Sequence, residues 1–410
     1  MSAQLRGTNQ ESGRPYNRRI VLETIRLSAP IARGEIARKV GLTVQTVSTI
    51  IRELELQGFV RSTREQPKGR GHPSTSLAVN PEGGFAIGLH VTPISVEAAL
   101  INLAGDVIAR FHRSFTTNDV EATLAVCGVL AAECRALRPE GRMLGIGLAI
   151  PGPSDIESMS FVGSTTLEGW KGVDVQALLT TATGLPVFTG VDLASAALGD
   201  HLYGAGRNFR DFYYLYFGVG LGGTMVHDGS PIRGAFGNAG EIGHMPLVPG
   251  GDPCPCGNRG CLERYVSLDA LGRRLQTAGH GEDISQAIRD GHPVVEAWIG
   301  EVAPVLRAAV TIIENLFDPE TIIFGGLAPE ALLSRLLAAA EPLAPSIAER
   351  RTRLAARVTL ASDGEDAVLR GAAALAVSGM LSPRVGEFLT GDADADPIMT
   401  TPTTKAEFAA

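Results

Sequence analysis

The sequence predicts an α/β body preceded by a small α+β head of the winged helix-turn-helix type. Three observations carry this. Within residues 1–80, three short amphipathic helical patterns are followed by two short strand patterns around a Gly/Pro-rich loop. Beyond Pro81, apolar strands that run into glycine turns alternate with Ala/Leu-rich helical stretches. The charge divides at the same place. Residues 1–80 hold 13 Lys+Arg against 6 Asp+Glu, and the remainder 23 against 38, so a basic head precedes an acidic body within a net charge of −8. A polyanionic partner would therefore meet the head.

In the head, Ile20, Val21, Ile25 and Leu27 give a first helix over about 17–27, stopped by Ala29-Pro30. Ile36, Ala37 and Val40 mark a second helix that ends at Gly41. Thr43 is placed to cap a third helix, whose expected buried face is Val44, Val47, Ile50, Ile51 and Leu54. The opposite face shows Gln45, Thr46, Ser48, Thr49 and Arg52, small polar groups and an amide suited to base edges in a major groove. Helix, tight turn, helix is the helix-turn-helix signature. Phe59–Ser62 and Ser76–Val79 read as the strands of a β-wing, and Arg61, Arg64, Lys68 and Arg70 on or between them as phosphate or minor-groove contacts. A small helical bundle used for dimerisation is the competing reading of the head.

In the body, Phe85–Leu89, Val96–Leu103, Met143–Ile150, Tyr213–Phe217 and Thr321–Phe324 read as strands. The last two run into glycine loops, Gly218–Gly223 and Gly325-Gly326, the position where open α/β sheets bind ligands. Cys127 and Cys134 fall on a helical pattern as core residues. No apolar run approaches the length of a membrane span, and the Arg-containing N-terminus has no apolar signal core, so a cytoplasmic location with no membrane partner is expected. The stretch 382–410 lacks any core-forming pattern and is expected to be a disordered tail.

The most specific feature lies between Glu241 and Glu263. His244 precedes Cys254, Cys256 and Cys261, a Cys₃His set that structural Zn²⁺ prefers. Buried free thiols or a disulfide suit the spacing less well: Gly257 and Gly260 supply tight turns, and Cys-Pro-Cys is too cramped to close on itself. Two glutamates bracket the set, so the metal is expected to hold carboxylates in place.

The chain resembles the ROK family (repressors, open reading frames and sugar kinases) over nearly its whole length. The residues that carry the resemblance are Gly145-Ile146-Gly147 with Pro151-Gly152-Pro153, the Gly218–Gly223 loop, Gly234 through Ala239-Gly240-Glu241-Ile242-Gly243-His244, the cysteine cluster, and Asp318-Pro319 before Gly325-Gly326. The winged head places the chain beside the family's transcriptional regulators of the xylose, N-acetylglucosamine and glucose type. The resemblance implies two actin/hexokinase-like lobes, residues 81–200 and 201–363, the first completed by a C-terminal helix near 364–380. It also implies His244, Cys254, Cys256 and Cys261 as zinc ligands, and Glu241, Glu263, His244 and Asp192 as contacts to a sugar or sugar phosphate in the cleft. Asp192 matches the base of the family's kinases; a helix cap is the structural alternative for it.

The departures matter as much. Where family kinases carry an Asp-x-Gly-Gly-Thr phosphate turn, this chain has Leu89-His90-Val91-Thr92-Pro93-Ile94, and Val191 stands where they place a sugar-gripping Asn. The expected function is a sugar-responsive DNA-binding regulator, a repressor of carbohydrate genes, without enzymatic activity, acting as a homodimer or homotetramer on a double-stranded operator. A sugar kinase with a DNA-binding head, and a regulator with a protein effector, remain the alternatives at this level.

Overall fold

The structure, a computed structural model, describes residues 13–64, 75–115, 119–152, 167, 169–170, 172–280, 283–350, 352–353, 355–362 and 366–383. The expected tail beyond 383, the wing loop with Lys68 and Arg70, and Pro153 lie outside the described residues.

The head is built from α1 (Arg14–Ser28), α2 (Arg33–Val40) and α3 (Val44–Leu56). A three-stranded sheet completes it, with β3 (Thr75–Val79) between β1 (Ile31–Ala32) and β2 (Val60–Arg64). Gly41 ends α2 with left-handed backbone (φ 69°), and Thr43 caps α3 by accepting the Thr46 amide at 3.1 Å. The Glu53 carboxylate of α3 binds Arg18 of α1 at 2.8 Å, which fixes the angle between these helices. One expectation fails. Val44 is 54% exposed, and the buried face of α3 is Val47, Ile50, Ile51 and Leu54 alone. As the first helical residue, Val44 projects beyond the point where α2 covers that face.

Two lobes follow, and they repeat one strand order. The first sheet runs β6 (Val107–Ser114), β5 (Ser95–Asn102), β4 (Phe85–Thr92), β7 (Met143–Ile150), β8 (Val187–Val191). The second runs β11 (Ser230–Pro231), β10 (Leu221–His227), β9 (Asp211–Phe217), β12 (Thr321–Gly326), β13 (Val358–Leu360). In each, an antiparallel meander of three strands is extended by two parallel ones. The expected loop Gly218–Gly223 is shorter than read: from Leu221 onward it is β10, paired with β9 from Phe217 back. Its glycines belong to the strand because Leu193 and Tyr213 pack where side chains at 222 and 223 would stand.

Helices α4 (Val120–Ala136) and α5 (Val175–Thr183) cover one face of the first sheet, and Cys127 and Cys134 are buried there with thiols pushed up to about 12 by burial. In the second lobe, α7 (Leu268–Thr277), α8 (Ile284–Arg289) and α9 (Pro293–Phe317) lie between β11 and β12, and α10 (Glu330–Ala340) between β12 and β13. No helix among the described residues is long and apolar enough to cross a membrane.

The chain passes between lobes twice, after α6 (Asp192–Tyr203) and before α11 (Ala367–Leu381). These helices cross at Gly199 and Gly371. A Cβ on Gly371 would stand 1.9 Å from the Ser195 carbonyl oxygen, and one on Gly199 would stand 2.8 Å from Gly371 itself. Helix α11 packs on β4, β5 and β7 of the first lobe. Its residues Leu369, Ala373, Ala376, Val377 and Leu381 also share one hydrophobic cluster with Ile20, Ile25 and Leu54 of the head. The head thus has no separate linker. Arg142 of the first lobe seals the seam, stacking 4.3 Å from the Phe59 ring centroid and donating to the Gln57 carbonyl at 2.8 Å.

Gly371→Ala is expected to cost about 1–3 kcal/mol by overpacking this crossing. Gly300→Ala at an exposed position of α9, where a Cβ meets nothing within 4 Å, is expected to gain up to about 1 kcal/mol. Denaturant midpoints measure both, and equal shifts would contradict the close crossing.

Candidate functional site

The cleft between the lobes gathers most of the residues singled out above. Asp192 opens α6 from the first lobe. It is the first helical residue and not the cap, since Val191 holds the cap position without a side-chain bond. Its Oδ1 accepts the Leu193 amide at 2.7 Å. Leu193 packs against Gly222 of β10, and this contact between lobes sets Asp192 beside the carboxylates of the second lobe.

Glu241 caps one short 3₁₀ turn, Ile242–His244, and Glu263 lies within another, Leu262–Arg264. Glu263 Oε2 accepts the Leu221 amide at 3.1 Å, so one oxygen is anchored to the start of β10. Glu241 is preceded by Gly240, whose carbonyl accepts the Gly223 amide at 3.0 Å. Burial raises the Glu241 carboxyl above its ordinary range. His244 opposes the shift, while Glu263 and Asp192 add to it. Asp192 is likewise raised by burial, against His90 and the Leu193 amide. Three carboxylates facing one partly dry space form a set of acceptors for hydroxyl donors.

The four proposed ligands converge. The ligand atoms of His244, Cys254, Cys256 and Cys261 all lie within 4.8 Å of one another, a group that could hold a metal ion. Backbone bonds hold the loop: Cys254 N to Asn258 O at 2.9 Å, Val248 N to Gly260 O at 3.0 Å, and Leu262 N to Met245 O at 2.9 Å. Gly257 and Gly260 both have left-handed backbone, and a Cβ on Gly260 would stand 1.7 Å from the Val248 carbonyl oxygen. All three cysteines are free thiols. His244 turns Nδ1 toward Cys254 at 3.6 Å and Nε2 toward Glu241 at 3.8 Å, linking the cluster to the cleft.

Two cleft groups were not among the expected site residues: Tyr216, and His90, which the sequence marks only as a departure from the phosphate turn. His90, 2% exposed, lies with Nδ1 3.7 Å from Glu97 Oε2, and its imidazole holds Glu97 below the ordinary carboxylate range against burial, with a smaller contribution from His112. Tyr216 on β9 is buried with no hydrogen-bond partner for its hydroxyl among the described residues; burial and the neighbouring Asp192 raise it well above the ordinary tyrosine range. No local pattern gives either residue its carboxylate neighbour, because that pairing forms only in the folded chain.

The turn at the end of β4 is closed upon itself. Thr92 Oγ1 accepts the amides of Ile94 at 3.4 Å and Ser95 at 3.0 Å, and Pro93 has none to give. Those amides are spent within the turn, not presented outward.

On the head, Gln45, Thr46, Thr49 and Arg52 are exposed and Ser48 is half-buried. Thr43 and Thr46 share a hydroxyl contact of 2.8 Å, while Ser48 and Thr49 donate to the carbonyls of Val44 and Gln45 at 2.7 and 3.2 Å. The side chains of Gln45, Arg52 and Arg61 make no intramolecular hydrogen bond or ion pair among the described residues. Exposed Val44 adds an apolar group to the same end of α3.

Asp192→Asn tests the cleft electrostatics. A carboxyl raised in the folded state costs stability wherever it is ionised, and that cost vanishes as pH falls below its folded pKa. The variant is therefore expected to melt about 1–3 °C higher at pH 7 and to match the parent in acid, by calorimetry.

Comparison with known proteins agrees with this geometry. A profile of the ROK family matches residues 86–378, and a winged helix-turn-helix DNA-binding profile matches residues 15–61. The xylose repressor of Caldicellulosiruptor bescii is 28% identical over 393 residues, covering 89% of this chain and 96% of that one. The DNA-binding transcriptional dual regulator NagC of Escherichia coli is 27% identical over 343 residues, covering 79% and 83%. Among solved structures, a ROK family transcriptional regulator homologous to the E. coli MLC protein superposes with a TM-score of 0.68 at 26% identity, covering 92% of this chain and 98% of that one. The ROK family glucokinase of Streptomyces griseus, solved with glucose and AMPPNP, gives a TM-score of 0.61 at 26% identity, covering 72% and 100%. With two actin/hexokinase-like lobes behind a winged head, this chain belongs to the ROK family.

Proposed function

We propose that this protein is a transcriptional regulator, a repressor of carbohydrate genes, that binds a double-stranded operator through its head and a sugar or sugar phosphate through its cleft. One observation carries the reading. The hydroxyl-accepting side of the cleft is assembled from Asp192, Glu241 and Glu263, while the turn that would serve nucleotide phosphates has consumed its own amides. A cleft of this kind supports recognition without phosphoryl transfer, which relies on phosphate and Mg²⁺ positioning. The names of the relatives, repressors among them, support the same reading.

The metal in this reading is zinc. With Zn–S near 2.3 Å and Zn–N near 2.0–2.1 Å, a tetrahedron has S···S edges of about 3.8 Å and S···N edges of about 3.6 Å. Cys256 and Cys261 Sγ are 3.7 Å apart, and Cys254 Sγ and His244 Nδ1 are 3.6 Å apart. A disulfide needs a far shorter separation. Zinc would supply structural order here, fixing the two 3₁₀ turns and with them Glu241 and Glu263. Cys256→Ser is expected to lose one equivalent of metal by elemental analysis; unchanged metal content would defeat the assignment.

A sugar that bridges Asp192 and the glutamates closes one lobe on the other, and closure opposes DNA binding by reciprocal linkage. As a two-fold dimer the protein would read a pseudo-palindrome in the cytoplasm. Gln45, Thr46, Ser48 and Thr49, with the Thr43 cap, face the bases; Val44 suits a thymine methyl, and Arg52, Arg61 and Arg70 suit phosphates or a minor groove. The test begins with operator selection from random duplexes, followed by titration with sugars and sugar phosphates. One of them is expected to weaken operator binding at least tenfold, Glu241→Gln to bind DNA but ignore the effector, and Gln45→Ala to cost about 1–3 kcal/mol on the selected site. Sugar-dependent ATP hydrolysis abolished by Asp192→Asn would overturn the proposal in favour of a kinase.

A further inference from the structure

A second cavity, of about 770 Å³, lies where the head and both lobes meet. Its walls come from every part of the molecule. Helix α1 of the head contributes Glu23 and Leu27, β8 contributes Phe188 and Thr189, and α6 and α11 contribute Leu198 and Ser378. The second lobe contributes the β10–β11 hairpin at Asp228–Pro231, together with Arg233. None of the cleft carboxylates and none of the Cys₃His residues lines it.

The charges are uneven. Three arginines, Arg207, Arg210 and Arg233, face two carboxylates, Glu23 and Asp228. Both carboxylates are already engaged. Glu23 pairs with buried Arg26 at 2.7 Å, and Asp228 pairs with Arg210. Arg207 and Arg233 have no carboxylate partner among the described residues. Arg207 is half-buried and spends one donor on the Arg26 carbonyl at 3.0 Å, leaving the rest of its fork directed elsewhere. Two unpaired guanidinium groups around a concave space, one of them partly desolvated, make a site for a compact dianion. The volume exceeds that of a bare oxyanion and falls within the range of small-molecule sites, with Phe188 and Leu198 offering apolar wall.

We propose that this junction cavity is a second effector site, for a small metabolite carrying a phosphoryl group. Arg207 and Arg233 bind the phosphoryl oxygens, and the remainder of the ligand packs against β8 and α6. Because Arg207 is tied to the last turn of α1 and Arg233 follows the second-lobe hairpin, the bound anion cross-links the head to the second lobe. This site is independent of the cleft and of whether the cleft takes a sugar.

The test is calorimetry on the full-length protein with glucose 6-phosphate, inorganic phosphate and glucose as probes. Glucose 6-phosphate is expected to bind, inorganic phosphate to compete with it more weakly, and glucose not to displace either. Arg233→Gln, at an exposed side chain without an intramolecular partner among the described residues, is expected to lower phosphate affinity about tenfold, or ~1.4 kcal/mol. Arg207→Lys, which keeps the charge and loses the fork, is expected to do the same. Glu241→Gln is expected to leave phosphate binding unchanged, so failure of the cleft reading would not mimic failure here. Bound glucose 6-phosphate should also slow amide exchange in α1 residues 22–27 and hairpin residues 228–230 together. The proposal is overturned by absence of binding with both phosphates, by parent-like affinity in both arginine variants, or by loss of phosphate binding in Glu241→Gln.

Discussion

The crossing of α6 and α11 is the constraint on which the other features depend. Backbone meets backbone at Gly199 and Gly371, and the side chains that would separate the helices are absent. Close packing of this kind leaves no room for side chains between the helices and transmits strain from one to the other. Asp200, the residue next to Gly199 on α6, adds a polar clasp. Its buried carboxylate accepts the amides of Ala205 at 3.3 Å and Gly206 at 3.0 Å on the outgoing connection, and that of Ser362 at 3.4 Å on the returning one. Burial raises its carboxyl, against these three amides. One side chain therefore holds both passages of the chain between lobes, and the lobes share a hinge that is short and internally bonded.

The cleft follows from that hinge. Helix α6 starts at the cleft and ends at the hinge, so Asp192 is carried on the same rigid element as Asp200. Its carboxylate sits at the positive end of the helix, which favours its ionised form, while burial disfavours it. Across the gap, Glu241 and Glu263 flank the Cys₃His cluster and are held to β10, Glu263 through the Leu221 amide and Glu241 through the adjoining Gly240 carbonyl, which accepts the Gly223 amide. Like charges facing one another in a partly dry space store repulsion, which donors from a polyhydroxyl ligand would relieve. His90 and Tyr216 complete the surroundings from opposite lobes, and each lies next to a carboxylate, Glu97 and Asp192 respectively.

How much of this was legible depended on the range of the interaction. The helices of the head, the Thr43 cap and the Gly41 turn were readable because capping and periodicity act within four residues. The Cys₃His cluster was readable because its spacing is chemically restrictive. Met143–Ile150 was read with its bounds, as a continuous apolar run buried on both faces. Strands β6 and β8 were not. β6 alternates charged and apolar residues on an edge, and β8 is a five-residue segment broken by Gly190. Val44 was misassigned because helical periodicity gives a face but not the point where its cover ends. His90, Tyr216 and the Arg207–Arg233 pair are assembled only by tertiary contact, and no sequence interval connects them.

The continuous core of head, first lobe and α11 constrains how any signal travels. Ile20, Ile25 and Leu54 pack in one cluster with Ala86, Ile101 and Leu144, and separating them would expose a face that has no other cover. The head and the first lobe therefore move as one piece. The second lobe joins this piece through the α6–α11 crossing, and it reaches the head through the connection at Ala205–Asn208, where Arg207 holds the Arg26 carbonyl. Rotation of the second lobe acts on the C-terminal turn of α1, leaving the fold of α3 intact and altering how the head is held. In an assembly of two copies, such a motion changes the relation between the two α3 helices and not the surface that each presents. Regulation of this kind would need no unfolding of the head, only a rotation delivered at a residue that is already tied to it.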